Sequence, residues 1–238
     1  MSWQHLVFVT SLMAVMVILA VALGRRNQKV LPVKKNRVLI WAAILIDGFE
    51  LFKILFFCAQ DPDAWRSMLP LFLCSIQLIA IPLAAFTRGR IQEAALDFVS
   101  IFGLLGAVLG TYGAGQNYNA YPVLSFDNVV SGLTHSISGF AALYIMISGM
   151  ASMKRKNIWI TFTILLGFCA AAYLANRLLD YNYMFLMAGD GTPYDILYQL
   201  VGGHKVFYPV SVVALFLVYI CIFYSIWWMV KKKKKLAV

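Results

Sequence analysis

Residues 3–37 read WQHLVFVTSLMAVMVILAVALGRRNQKVLPVKKNR: 22 residues without Asp, Glu, Lys or Arg, then six basic residues within thirteen. An apolar run of about 20 residues matches the ~30 Å hydrocarbon core of a bilayer. Basic residues are retained on the cytoplasmic side during insertion, so the cluster after the run assigns that end of the helix to the cytoplasm. The same unit, an apolar stretch closed by basic residues, recurs along the chain. Sixteen of the twenty Lys and Arg residues fall in four clusters: 25–37, then Arg88 and Arg90, then Lys154 to Lys156, then Lys231 to Lys235.

Seven transmembrane spans follow, at approximately 3–23, 38–58, 67–86, 94–115, 128–151, 158–178 and 208–230. With the basic loops inside, the N-terminus lies outside and the C-terminus in the cytoplasm. Asp61, Asp63, Asp127, Asp180, Asp190 and Asp195 then all fall on the outer side. Ala20-Val21-Ala22 resembles a signal-peptidase site, but no Lys or Arg precedes the apolar core, so span one reads as a retained anchor. The expectation is an all-α, polytopic membrane protein, one seven-helix domain over 1–238 with a cytoplasmic polylysine tail at 231–235. Its place is a cell membrane, read as a bacterial plasma membrane.

Composition agrees. The chain is 62% hydrophobic and 13% charged, with a mean hydropathy of +0.79, whereas soluble domains are about 25% charged. A net charge of +10 would suggest nucleic acid in a soluble protein. Once the basic loops are assigned no basic face with interleaved aromatics remains, and the tail Lys231 to Lys235 instead suits anionic inner-leaflet lipid. No cofactor is implied. With only His5, His135 and His204, and no ligand-like spacing among Cys74, His135 and His204, no metal centre is expected.

Chemistry must come from polar residues inside apolar stretches, where a charge costs roughly 2.5–3.5 kcal/mol on insertion scales. Span two carries Asp47, Glu50 and Lys53 at a spacing of three, which puts Glu50 beside both neighbours. Two readings stand: a self-compensating cluster with Glu50 on Lys53 and Asp47 protonated or paired, or a functional one, a proton or cation site or a carboxylate that orients a catalytic base. Cys74 and His135 fall at matching depth, about 9–10 Å from the outer end of spans three and five by helical rise. A Cys nucleophile takes a neighbouring His as base; each residue equally suits plain packing or an interhelical hydrogen bond. Gln77 lies one turn from Cys74, and Ser131 and Ser138 flank His135. Glu50 would line the pocket, and Asn176, Arg177 and Asp180 reach the same depth. A Cys58–Cys74 disulfide would remove the nucleophile.

Gly106 and Gly110 form a small-xxx-small pair suited to close helix approach within the bundle. Two long loops, 116–127 (Gln116, Asn117, Tyr118, Asn119, Tyr121, Pro122) and 179–207 (with Asn182 and Tyr183), read either as aromatic belts at headgroup level or as lids over a cavity.

Leu69 to Ile76, LPLFLCSI, resembles the L-P-L-H-L-C-S-I stretch of the YwaF family of bacterial integral membrane proteins, and Asn182 to Leu186 matches its N-Y-M-F-L segment. His135 falls where that family carries a histidine. The resemblance implies a seven-span protein distantly similar to animal transmembrane phospholipid acyltransferases that use a cysteine. Phe72 stands where the family has a His, and the animal cysteine position falls on Leu71, so no dyad transfers directly. The expected function is lipid handling at the outer leaflet: a phospholipid acyltransferase with Cys74 as nucleophile and His135 as base, and Asn182 or backbone amides near Ser75 at the oxyanion. Gln77, Glu50, Lys53, Asn176, Arg177, Asp180, Asn182 and Tyr183 would contact membrane phospholipid. The alternative is a non-enzymatic transporter or lipid- or ligand-binding protein using Asp47, Glu50 and Lys53. A receptor-like reading rests only on the count of spans.

Overall fold

A computed structural model describes residues 2–113 and 121–236, with side chains through residue 232. The chain is all-helical apart from its connections. Helix α1 is Trp3–Arg26, capped by the Ser2 side chain accepting from the His5 N–H. Helix α2, Pro32–Gln60, starts on a proline, whose fixed φ suits the first helical position. A single turn, α3, spans Trp65–Met68, and α4 spans Gln77–Phe86. Helix α5, Gly89–Val108, widens into a π-turn at Leu109–Gly113. Helix α6, Phe126–Ile147, is capped by Ser125, with Asp127 in its first turn. Then come α7 (Ile158–Leu179), the short α8 (Asp195–Leu200) and α9 (Phe207–Leu236).

Among the described residues, five helices are long and apolar enough to cross a membrane: Trp3–Arg26, Gly89–Gly113, Phe126–Ile147, Arg155–Leu179 and Phe207–Lys232. At 24 residues, α1 extends about 36 Å, more than a hydrocarbon core. The expected span 38–58 lies within α2, where Asp47, Glu50 and Lys53 interrupt the apolar run. The expected span 67–86 is not one helix: regular structure stops after Met68 and resumes only at Gln77. Pro70 explains the stop, because a residue before proline is pushed out of the helical region, and Leu69 is extended at φ −61°, ψ 142°.

The chain divides into two compact units, one up to Ser152 and one from Met153. In the first, α6 is central, packed against α1, α2 and α5, while α4 lies on α2 and α5. Its helices alternate in direction, and the basic segments collect at one end. Asn27 donates to the Tyr144 hydroxyl at 2.9 Å and that hydroxyl donates to the Lys35 carbonyl at 3.0 Å. Lys35 Nζ reaches the Ser148 carbonyl (2.7 Å) and Asn36 the Ala85 carbonyl (2.5 Å). The bonds to Ser148 and Ala85 satisfy carbonyls at helix C-terminal ends that would otherwise lack donors. At the opposite end, Asn128 Nδ2 donates to the carbonyls of Tyr121 (3.3 Å) and Pro122 (2.9 Å), and the His5 ring lies 3.3 Å from the Tyr121 carbonyl.

The core of this unit is built on close backbone approach. A β-carbon on Gly139 would fall 2.7 Å from Ala107 Cβ and 2.8 Å from Met16 Cε, and one on Gly103 would fall 3.0 Å from the Ser138 carbonyl oxygen. Small residues are what permit such contact in a membrane, where dispersion and interhelical hydrogen bonds replace the hydrophobic drive. Buried Phe98, Ile101, Phe102, Tyr144 and Ile145 fill the remaining space.

In the second unit α7 and α9 pair. Trp228 donates to the Met153 carbonyl at 2.8 Å, and the Arg155 guanidinium lies 5.0 Å from the Trp228 ring centroid. Helix α7 ends at Asp180 in the left-handed conformation, φ +52°.

Replacing Gly139 by Val forces α1 and α5 away from α6. Overpacking of this kind costs about 1–3 kcal/mol, and thermal unfolding of the purified protein in detergent should show a correspondingly lower Tm, with Gly167→Val, which meets nothing within 4 Å, unchanged.

Candidate functional site: a broken helix on a glycine face

Residues Leu69–Ile76 cross from α3 to α4 as irregular backbone. Cys74 lies in this stretch rather than on a helix, so the depth estimated from helical rise does not apply to it. The break gives its sulfur unusual company: the Ser75 hydroxyl and the backbone N–H groups of Cys74 and Ser75 lie close to it. A continuous helix would direct those amides along its axis to preceding carbonyls.

The face opposite is α5. A β-carbon on Gly106 would lie 3.4 Å from Cys74 Cα and 3.5 Å from its Cβ. One on Gly110 would overlap the His135 imidazole, 2.7 Å from Nδ1 and 2.8 Å from Nε2. Gly106 and Gly110 are one turn apart, about 6 Å along the axis, so Cys74 and His135 rest on adjacent positions of one helix face. The ring sits against the π-turn Leu109–Gly113, a local widening that recurs at functional sites. The small-xxx-small pair therefore makes room for a side chain as well as for a helix. Ser138, a turn further along α6, donates to the Gly103 carbonyl at 3.3 Å.

On α2, Lys53 pairs with Asp127 rather than with Glu50. Lys53 Nζ lies 2.8 Å from Asp127 Oδ1 and 3.1 Å from Ser131 Oγ. The expected self-compensating Glu50–Lys53 pair is thus replaced by an α2–α6 tie, because the flexible lysine stem reaches across to the first turn of α6, where a carboxylate also suits the helix dipole. With α2 and α6 antiparallel and Lys53 level with Ser131, Glu50 comes level with His135, about one turn further in. Glu50 lies within electrostatic reach of Cys74 and Lys53 within reach of His135. Among the described residues the Glu50 carboxylate takes no hydrogen bond or ion pair, and buried Asp47 Oδ1 has no partner.

Cys58, Cys74, Cys169 and Cys221 are all free thiols, so the Cys58–Cys74 disulfide does not form. Among the described residues no three His, Cys, Asp or Glu side chains are grouped as metal ligands. Asn176, Arg177, Asp180, Asn182 and Tyr183 belong to the second unit, and the amides there are occupied by their own loop. Asn176 accepts from the Tyr183 N–H (2.6 Å) and donates to its carbonyl (3.0 Å). Asn182 accepts from the Met187 N–H and donates to the Ala188 carbonyl, both at 2.8 Å. Arg177 and Asp180 are exposed and Tyr183 is buried. Gln116, Asn117, Tyr118 and Asn119 lie outside the described residues.

Sequence reasoning missed Asp127 as the partner of Lys53. Its only local signal was its position after the capping Ser125. It also missed Asp97, fully buried on α5, which accepts from the Ser152 N–H (3.0 Å) and hydroxyl (3.1 Å) and fixes the chain leaving α6.

These features define a polytopic α-helical membrane protein with at least five apolar membrane-spanning helices and an ionised cluster between its helices. The model of the TMEM164 family matches residues 1–224, and the chain belongs to that family. Both motifs that resemble the YwaF family lie inside the matched residues. No curated relative and no solved structure matches the chain.

Neutralising one partner of the Lys53–Asp127 pair leaves a charge in a half-buried site. Lys53→Met or Asp127→Asn alone should destabilise by up to about 3 kcal/mol, and the double variant by clearly less than the two singles together. A double-mutant cycle on thermal unfolding measures this; strict additivity would mean the pair is not coupled.

Proposed function

We propose that the first unit binds a polar-headed lipid or similar amphiphile within the membrane, as a non-enzymatic binder or transporter. The observation carrying this reading is the helix interrupted at Leu69–Ile76 beside the α2 charges. Irregular backbone at membrane depth is tolerated only where it is buried in protein or lines a cavity, and discontinuous helices are where membrane transporters hold their ligands. Glu50, lacking a partner among the described residues, and Lys53, held by Asp127, would meet the polar head. Asp47, one turn along α2, extends the polar stripe.

The reading takes the chain as a seven-span protein of the plasma membrane, N-terminus outside, with α2 and the broken segment completing the five clear spans. The ligand then enters from the outer leaflet, and Lys231 to Lys235 rest on anionic inner-leaflet lipid, each lysine adding about 1 kcal/mol of attraction.

A second reading is favoured by Cys74 and His135 sharing the Gly106–Gly110 face. It makes the bound lipid an acyl donor, as the YwaF resemblance implies. His135 takes the thiol proton as Cys74 sulfur attacks the ester carbonyl; the C–O bond breaks, and the departing lysolipid oxygen receives that proton. An acceptor hydroxyl, deprotonated by His135, then attacks the thioester, and Cys74 leaves as thiolate and regains the proton.

Two measurements separate the readings. For binding alone, Glu50→Gln should weaken lysophosphatidylcholine binding about tenfold, the worth of one charge-assisted hydrogen bond, with Cys74→Ala unchanged. For acyl transfer, intact-protein mass spectrometry after incubation with phospholipid should find a hydroxylamine-labile acyl adduct on wild type that is absent from Cys74→Ser and His135→Ala. An adduct that persists in Cys74→Ser eliminates this mechanism.

A further inference from the structure

Gln77 is the first residue of α4 and is completely buried, yet neither its amide oxygen nor its amide nitrogen has a hydrogen-bond partner among the described residues. Burying an amide without a partner costs several kcal/mol against an apolar reference, and native proteins satisfy the great majority of such groups. The position of Gln77 tells what is due to meet it. Gln77, Ala80, Ile81 and Ala84 form the buried stripe of α4 at helical spacing, and Cys74 stands three residues before, its carbonyl accepting from the Gln77 N–H. Helical side chains lean towards the N-terminus, so the amide covers the turn that carries Cys74 and Ser75.

Backbone donors at this helix end are already used. The N–H groups of Gln77, Leu78 and Ile79 bond to the carbonyls of Cys74 (3.3 Å), Ser75 (3.0 Å) and Ile76 (3.0 Å). Those of Cys74 and Ser75 lie close to the sulfur. The Gln77 amide is a buried, unengaged side-chain donor at this turn. Being neutral, it suits a neutral acceptor; a phosphate in an apolar interior wants a cation, and Lys53 lies towards the far end of α2, on Asp127.

We propose that Gln77 is the binding residue for an ester carbonyl, its side-chain NH2 donating to the carbonyl oxygen of an acyl lipid whose acyl carbon rests at Cys74. This rests on the first unit being a lipid site and adds that the site reads the ester linkage itself.

The test uses the full-length purified protein in uncharged detergent, titrated with 1-oleoyl-lysophosphatidylcholine and with the matched 1-O-octadecenyl ether, which lacks the carbonyl. Binding is read by thermal shift. Wild type should bind the ester about tenfold more tightly, the net value of one hydrogen bond. Gln77→Met should equal or exceed wild type in ligand-free Tm, since it removes an unsatisfied group, and should bind ester and ether alike. Glu50→Gln should weaken both lipids and keep their ratio. Equal binding of the two lipids by wild type overturns the role of Gln77 while leaving the lipid site standing, and needs no variant. A retained ester preference in Gln77→Met, or a lowered ligand-free Tm, also overturns it, the latter marking the amide as structural. Binding of neither lipid overturns the lipid site itself.

Discussion

The close approach of α5 to α6 is the contact on which the first unit depends. Gly103 and Ala107 of α5 meet Ser138 and Gly139 of α6 nearly backbone to backbone, and no apolar driving force exists between helices already in lipid. What holds them is dispersion over a small-residue seam, joined by the Ser138 bond to the Gly103 carbonyl. The seam sets the rotation of both helices about their axes. That rotation turns His135 onto Gly110 and leaves Gly106 open to Cys74. A larger residue at either glycine would move the partner that defines the candidate site.

The second constraint is the absence of water to satisfy backbone in a bilayer. Pro70 breaks a stretch that apolar content alone reads as a span, and irregular backbone at membrane depth is tolerated only where protein covers it or it lines a cavity. Cys74 rests on Gly106 of α5, and the basic end of the unit is closed by the Asn36 bond to the Ala85 carbonyl. The amides at Cys74 and Ser75 lie close to a sulfur. A break that would be a defect in an isolated helix becomes the most chemically distinctive point of the unit, and the TMEM164 family match covers it entirely.

The two units differ in how they use their polar residues. In the second, Asn176 and Asn182 close a loop around Tyr183, Met187 and Ala188 and have little capacity left. In the first, Asp47 and Gln77 keep buried unsatisfied atoms while Lys53 and Asp127 satisfy one another. Unsatisfied buried groups carry more functional information than satisfied ones, because stability alone disfavours them.

Much was legible in the residue order. Apolar runs of bilayer length and basic clusters are local properties, so the all-helical membrane class and the alternating helix directions follow from the sequence, and the basic segments of the first unit do meet at one end through Lys35, Asn36 and Asn27. The sequence singled out Cys74 and His135 by depth along assumed helices, but Cys74 lies on unwound backbone to which that estimate does not apply. Which side chains touch was not legible, because depth leaves helix rotation free. Only tertiary packing decided that Lys53 reaches Asp127 instead of Glu50, that His135 lies on Gly110, and that the stretch before Gln77 stays unwound. Rotation and unwinding are set by which small residues meet across helices far apart in sequence, and periodicity within one helix carries no record of that.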